Sequence, residues 1–324
     1  MKPLPKVLVI VGLTASGKTK LAVALARRFD GEIIAADSRQ VYRGMDIGTG
    51  KDLDAYGIKT KSAKRKVQNN RVAYHLIDVA SPRGQFTVAR YQQLAYRRIE
   101  DILRRGKLPI ICGGTGLYVD AVVKGYRLPE LRIANYELRK IRQRMRRFTM
   151  AQLLTRLKRV DPETFRAIDQ KNRRRIERAL EIYYSTGNPK SAQLVMTLPP
   201  YDFLLLGVNV PRRVLHQRIA RRLRFRLRSG LLPEVRRLHR MGVSWRRLDA
   251  FGLEYQWVSR YLRGKMNRLT METQLLRDIK RFARRQMTWF RRNRNIVWVT
   301  DWPPARRLVA RWLSPPPAVD GRGA

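Results

Sequence analysis

The chain has 324 residues and a formal net charge of +45, from 70 lysines and arginines against 25 aspartates and glutamates. That length allows one large domain with an insertion or two modest ones, and the charge is far beyond what solubility needs, so a polyanionic partner is expected and nucleic acid fits best. A single cysteine, Cys112, excludes an internal disulfide and any multi-cysteine zinc site.

Taken in chain order, the first apolar run is Val7 to Val11, too short for a membrane span of about 20 residues. It leads into a glycine-rich loop and not a small-residue cleavage site, so neither a signal peptide nor a membrane anchor is expected, and the location should be cytoplasmic. Strands are predicted at 7–12, 32–37, 108–114, 202–210 and 295–300, with helices between them. Their apolar runs are continuous and not alternating, the pattern of parallel strands covered on both faces. Cys112 falls inside the third of these runs, as a small buried side chain. The segment 59–71, KTKSAKRKVQNNR, is polar, basic and unpatterned, and reads as a mobile loop. From 126 to 200 no strand pattern occurs, while basic residues crowd helical stretches such as ELRKIRQRMRR and KNRRRIERALEIYYSTG. The expected organisation is an α/β core of P-loop NTPase-like type, a parallel sheet flanked by helices, with a helical insertion. Residues 1–125 form its first part, 126–200 the insertion, and 201–313 the remainder with basic C-terminal helices. The Pro- and Gly-rich tail, 314–324, is expected to be disordered.

Gly12-Leu13-Thr14-Ala15-Ser16-Gly17-Lys18-Thr19 matches the pattern G-x-x-x-x-G-K-S/T, and it lies between a buried strand and a helix, where its mechanism requires it. The glycines let the backbone curl so that successive N–H groups point at one anion, and the helix N-terminus adds partial positive charge. Lys18 would cap phosphate oxygens and the Thr19 hydroxyl would ligate Mg²⁺. An ordinary P-loop kinase also needs an acidic metal partner at the end of a second buried strand. The 108–114 and 202–210 strands end without one. The 32–37 strand ends in Asp37, which could serve as metal support or as a base.

Asp37-Ser38-Arg39-Gln40-Val41-Tyr42-Arg43-Gly44-Met45-Asp46-Ile47-Gly48-Thr49 follows, then His75-Leu76-Ile77-Asp78, then Gly113-Gly114-Thr115-Gly116-Leu117-Tyr118. With the P-loop, this ordered series resembles the bacterial tRNA dimethylallyltransferases. The likeness continues through 172–181, Leu215 to Ile219 and 281–292, and so covers roughly 7–300. Departures are Leu13 where the family usually has Pro, Gly50-Lys51-Asp52 in place of Ala-Lys-Pro, and Tyr74-His75 in place of paired histidines.

The resemblance implies transfer of a dimethylallyl group from its diphosphate to N6 of the adenosine 3′ of the anticodon, with Mg²⁺, by an enzyme that usually acts as a monomer on one tRNA. It implies catalytic roles for Asp37, Thr115 and Arg222. An aromatic amine must lose a proton as it attacks, so Asp37 on the ligand-binding rim is the candidate base; a loop cap is its plain alternative. Thr115 could orient the diphosphate or the base, with capping again the alternative. Arg222 follows Leu215 and Ile219 at i+4 and i+7 spacing, which turns a charge inward where a diphosphate would satisfy it. Arg218 could take that role, and a structural ion pair is the alternative. The diphosphate set is Gly12, Thr14, Ala15, Ser16, Gly17, Lys18 and Thr19.

For the tRNA anticodon stem-loop the candidates are Asp37, Ser38, Arg39 and Gln40, beside the base, and Arg174, Arg175 and Arg178, within one helical turn. A second stripe puts Leu275, Ile279, Phe282 and Gln286 inward and Arg277, Lys280, Arg281, Arg284 and Arg291 outward. His216 and His239 are assigned to structure. Two other readings stay open: a P-loop kinase or isopentenyltransferase acting on free adenine nucleotides, and a non-catalytic RNA-binding protein. The basic downstream region speaks against the first, and the intact Lys18, Thr19 and Asp37 against the second.

Overall fold

The structure is a computed structural model that describes residues 3–51, 53–56, 71–128, 135–193 and 197–314. The 59–70 part of the predicted mobile loop and the tail beyond residue 314 lie outside the described residues.

Six strands form one sheet: β1 (Lys6–Gly12), β2 (Gly31–Ala35), β3 (Tyr74–His75), β4 (Leu108–Gly113), β5 (Asp202–Val208) and β6 (Ile296–Val299). Their order is β3-β2-β4-β1-β5-β6 and every pairing is parallel. All residues of β2 and β4 are buried, and in β1 only Lys6 is not, which accounts for their unbroken apolar runs. The helices, in chain order, are α1 (Lys18–Arg28), α2 (Val88–Arg104), α3 (Gly116–Val123), α4 (Asn135–Arg146), α5 (Met150–Val160), α6 (Pro162–Ala167), α7 (Arg173–Thr186), α8 (Arg212–Arg228), α9 (Leu231–Arg240), α10 (Trp245–Phe251), α11 (Leu253–Leu262), α12 (Arg268–Phe290) and α13 (Trp302–Leu313).

Two compact units divide the chain, Val123–Pro199 and the remainder, Met1–Val122 with Pro200–Ala324. In the larger unit Leu8, Ile10, Ile33 and Ile110 of the sheet share one apolar cluster with Leu25 of α1 and Val309 of α13. Val9, Val11, Ile34 and Ile111, which alternate with them along the strands, are fully buried too, and α2 and α12 also lie against the sheet. A second cluster joins α8 to α12 through Leu215, Ile219, Val235, Leu248, Tyr255 and Leu275, and includes Val41 and Met45 from the segment after β2. The smaller unit is helical, around Met145, Leu153, Leu157, Ile176 and Leu180.

Two local expectations are corrected. The 32–37 strand ends at Ala35, so Asp37 lies in the turn beyond it, where its own carboxylate accepts backbone N–H groups. The two-residue edge strand β3 was not predicted.

Candidate functional site

Since β2, β4 and β1 are neighbours running the same way, the segments that follow Ala35, Gly113 and Gly12 emerge side by side at one edge of the sheet. That edge is where open parallel sheets take ligands. After β1 the chain turns with Ala15 at φ 63° and Gly17 at φ 96°, both in the left-handed region. A side chain at Ala15's conformation is disfavoured, and the alternation of backbone hands is what makes N–H groups converge on an anion. Gly17 is also the N-cap of α1. It offers no side-chain cap, and no acidic residue stands in the first turn. The helix therefore presents open N–H donors and partial positive charge to whatever lies above the loop. Lys18 Nζ donates to the Leu13 carbonyl at 3.3 Å. Ser16 Oγ is buried with no hydrogen-bond partner among the described residues.

Asp37 Oδ1 accepts the N–H groups of Arg39 (2.9 Å) and Gln40 (3.3 Å), a side-chain-closed turn that fixes the carboxylate at the rim. Thr115, beyond β4, accepts the Ser38 N–H on its Oγ1 at 3.0 Å, and its own N–H donates to Ala36 O at 3.1 Å. Thr115 thus ties the end of β4 to both sides of Asp37. Cys112, beneath, is buried, and burial pushes its thiol up to about 11; it is packing, as expected.

Helices from the C-terminal half close the site. Arg222 of α8 hydrogen-bonds Thr14 Oγ1 of the P-loop. Arg218, one turn earlier, donates to Ser16 O at 3.3 Å. Arg226, one turn later, is buried in an ion pair with Glu254 at 2.6 Å. Gln286 of α12 is 6% exposed and bridges two loops: its Oε1 accepts Thr14 N–H (2.9 Å) and its Nε2 donates to Gly114 O (2.8 Å). Trp289 donates its indole N–H to Asp120 at 3.0 Å and lies across Gly116, where any Cβ would strike the indole ring.

These groups enclose two hollows with a shared wall of Thr14, Asp37, Thr49, Arg222, Phe282 and Gln286. The smaller, about 50 Å³, adds Lys18, Thr19 and Gln40. The wider, about 260 Å³, adds Thr115, Arg226 and Glu254 together with the apolar Leu117, Leu253, Ile279 and Trp289. One end suits an anion and the other a hydrocarbon group or a flat base. A hard divalent cation is compatible with the small end, which Thr19 and Asp37 line together with oxygen-bearing side chains. Mg²⁺ favours such oxygen donors and keeps several waters. Among the described residues no group of three or more His, Cys, Asp or Glu forms a metal cluster.

Of the residues expected to meet RNA near the base, Ser38 and Arg39 line the wider hollow, with Arg39 Cζ 6.0 Å from the Phe282 ring centre. Gln40 is used differently, since its Nε2 donates to the carbonyls of Gly50 (3.0 Å) and Thr49 (3.4 Å). In the smaller unit, Arg174, Arg175 and Arg178 stand exposed at the start of α7. With Lys190 they line a hollow of about 480 Å³. Desolvation, together with Arg175 and Arg178, lowers the Lys190 pKa against the opposing pull of Asp161. Arg178 also pairs with Glu181 at 3.1 Å. On α12 most of the expected stripe is present: Leu275, Ile279 and Gln286 are buried and Arg277, Arg281, Arg284 and Arg291 exposed, while Phe282 and Lys280 are half-buried. His239 stacks on Trp245 at 3.8 Å, a structural role.

The family model described as IPP transferase matches residues 40–293. The chain belongs to the IPP transferase family. It is 42% identical to "tRNA dimethylallyltransferase 1" of Geotalea daltonii, over 91% of this chain and 89% of that one. To "tRNA dimethylallyltransferase 2" of Trichlorobacter lovleyi it is 44% identical, over 88% and 87%. Among solved structures, the full-length tRNA isopentenylpyrophosphate transferase of Bacillus halodurans superimposes with a TM-score of 0.66 at 35% identity, covering 95% of each chain. A eukaryotic dimethylallyltransferase shares the fold with a TM-score of 0.76 at 24% identity.

As an IPP transferase, the chain holds its departures without disturbing the site. Leu13 packs into the cluster of α8 to α12. Lys51 is buried, with Nζ 2.8 Å from Asp46 and 2.5 Å from Asp78. Tyr74 and His75 make β3, and His75 reaches Glu32 at 2.8 Å. Sequence reasoning missed Arg226, Glu254 and the bridging role of Gln286. The inward spacing that singles out Arg222 extends one turn to Arg226, and that signal was available.

Proposed function

We propose that this chain is a tRNA dimethylallyltransferase in which Asp37 is the general base and the P-loop with Lys18 and Arg222 holds the diphosphate of dimethylallyl diphosphate. The observation that carries this reading is the convergence of Lys18, Asp37 and Arg222, from three separate stretches of chain, on two hollows with one wall. The adenine N6 attacks C1 of the donor as the C1–O bond breaks. The amine proton goes to Asp37, and the diphosphate leaves with its charge facing the α1 N-terminus, Lys18 and Arg222. Thr115 keeps the Asp37 turn in place. Thr19, beside Asp37, would hold Mg²⁺, which would supply further neutralisation of the diphosphate. The apolar wall of Leu117, Leu253, Ile279 and Trp289 excludes water from the transferring carbon.

The acceptor is the anticodon stem-loop, with the target adenosine turned out of its stack. Ser38 and Arg39 at the mouth and Arg174, Arg175 and Arg178 on the insertion are its contacts. The reading has the enzyme working in the cytoplasm as a monomer on one tRNA. Incubation with dimethylallyl diphosphate and either an anticodon stem-loop or adenosine monophosphate, followed by mass spectrometry of the nucleoside, tests it. Prenylated adenosine in the stem-loop alone is the expected product. Equal turnover of the free nucleotide would return the chain to the small-molecule reading.

A further inference from the structure

The segment Asp46 to Thr49 forms part of the wider hollow through Gly48 and Thr49, yet none of its side chains has a place in the chemistry above. One buried carboxylate governs it. Glu234 of α9 is 5% exposed, and its Oε2 accepts the N–H groups of Asp46 (2.9 Å) and Ile47 (2.7 Å). Its Oε1 accepts the Gly48 N–H (3.0 Å) and the Tyr255 hydroxyl (2.8 Å). Three successive backbone donors on one side chain define the path of that segment, because leaving any of them unpaired in a dry setting costs about 1–3 kcal/mol. Arg226 fastens the same segment from its carbonyl side, at Gly48 O (3.2 Å). Tyr255 packs so closely that a Cβ on Gly48 would come within 2.6 Å of its ring, so the backbone is seated against α11 as well.

The consequence for chemistry runs through Gln40. Its amide donates to Thr49 O and Gly50 O, the residues that leave the Glu234 grip, and its backbone N–H donates to Asp37 Oδ1. Resting on the reading of Asp37 as the base, we infer that Glu234 is a positioning residue for prenyl transfer, which through the Asp46–Thr49 backbone and Gln40 holds the Asp37 carboxylate at its working angle. Lys18 reaches Leu13 O and Arg222 reaches Thr14 Oγ1, both in the P-loop, so donor capture and base placement are read as separable.

Glu234→Gln keeps the size of the side chain and replaces one acceptor oxygen by a donor that faces N–H and O–H groups. In saturating donor and stem-loop, kcat of the folded variant should fall about tenfold to a hundredfold, as expected for a misplaced catalytic group. The donor KM should stay within about threefold of wild type. Added to Asp37→Asn, the change should cause no further loss. A kcat within about twofold of wild type, a loss that only tracks the unfolded fraction, or a fully multiplicative loss in the double variant overturns the inference. Full activity of Asp37→Asn alone instead refutes the base assignment, so the two failures are distinguishable. Should Glu234→Gln not fold, the coupling of Tyr255→Phe with Gln40→Ala decides. Effects on kcat that fall short of multiplying by about threefold support the path, and a simple product overturns it.

Discussion

Gln286 offers the sharpest test of how the site is held. It reaches Thr14 N–H and Gly114 O from α12, and at 6% exposure little water can replace it. Gln286→Leu keeps most of the volume and strips both polar partners. Two buried backbone groups losing a bond at about 1–3 kcal/mol each gives about 3 kcal/mol with partial relaxation. For a unit of this size that is a melting-temperature loss of about 6 to 12 °C. Gln286→Glu separates stability from binding. It still accepts from Thr14, but sets a carboxylate oxygen against Gly114 O and places negative charge beside the diphosphate seat. Donor affinity should then fall about tenfold or more, since like charges a few ångströms apart in a sheltered site repel by over 1 kcal/mol. Thermal unfolding and donor binding by calorimetry measure both quantities on the same preparations. A Gln286→Leu protein that melts within about 1 °C of wild type, with unchanged donor affinity in Gln286→Glu, refutes the bridge.

Lys18→Ala should reduce transfer by about a hundredfold or more while leaving tRNA affinity close to wild type, measured by single-turnover rates and filter binding. Asp37→Asn should lower kcat by about a hundredfold with donor binding kept, whereas a loss confined to donor affinity marks a metal-site role. Glu32, 5% exposed, is held down to about 2 chiefly by its bond to Arg105, against desolvation and with help from His75. A lowered carboxylate stabilises the fold above its unfolded pKa of 4.5 and loses that contribution as pH falls towards 2. The loss is about 3 kcal/mol at most, less for screening at the 40% exposed Arg105; Glu32→Gln should flatten the acid limb of a urea-unfolding series, and an unchanged limb assigns it elsewhere. Arg174→Ala with Arg175→Ala should weaken tRNA binding and reduce the slope of log affinity against log salt by about one to two, with donor affinity unchanged. An unaltered slope removes both from the RNA interface.

What the sequence made legible is what local patterning encodes. Unbroken apolar runs announced five parallel strands, and the P-loop spelled out its own backbone geometry. Asp37 and Thr115 were singled out by the resemblance, and their place just beyond the C-terminal ends of parallel strands fits that reading. The strand β3 escaped because two residues cannot display a period, and its place at the sheet edge depends on pairing with Ile33 and Ile34. The bridging role of Gln286, and Glu234 altogether, escaped for a different reason. Each meets its backbone partner across a long separation, 272 residues from Gln286 to Thr14 and 188 from Glu234 to Asp46. On its own helix Gln286 shows only as a polar residue in a buried stripe. That is a local conflict with the hydrophobic pattern, and such conflicts collect at functional sites. The same rule separates the two inward arginines of α8. Arg226 is fully inside and meets Glu254, so its charge is balanced within the fold. Arg222, one turn earlier and half-buried, reaches the P-loop threonine and lines both hollows. Helical spacing alone turns both inward. The distant carboxylate is what consigns Arg226 to structure, and the P-loop threonine beside Arg222 is what suits that arginine to the proposed diphosphate seat.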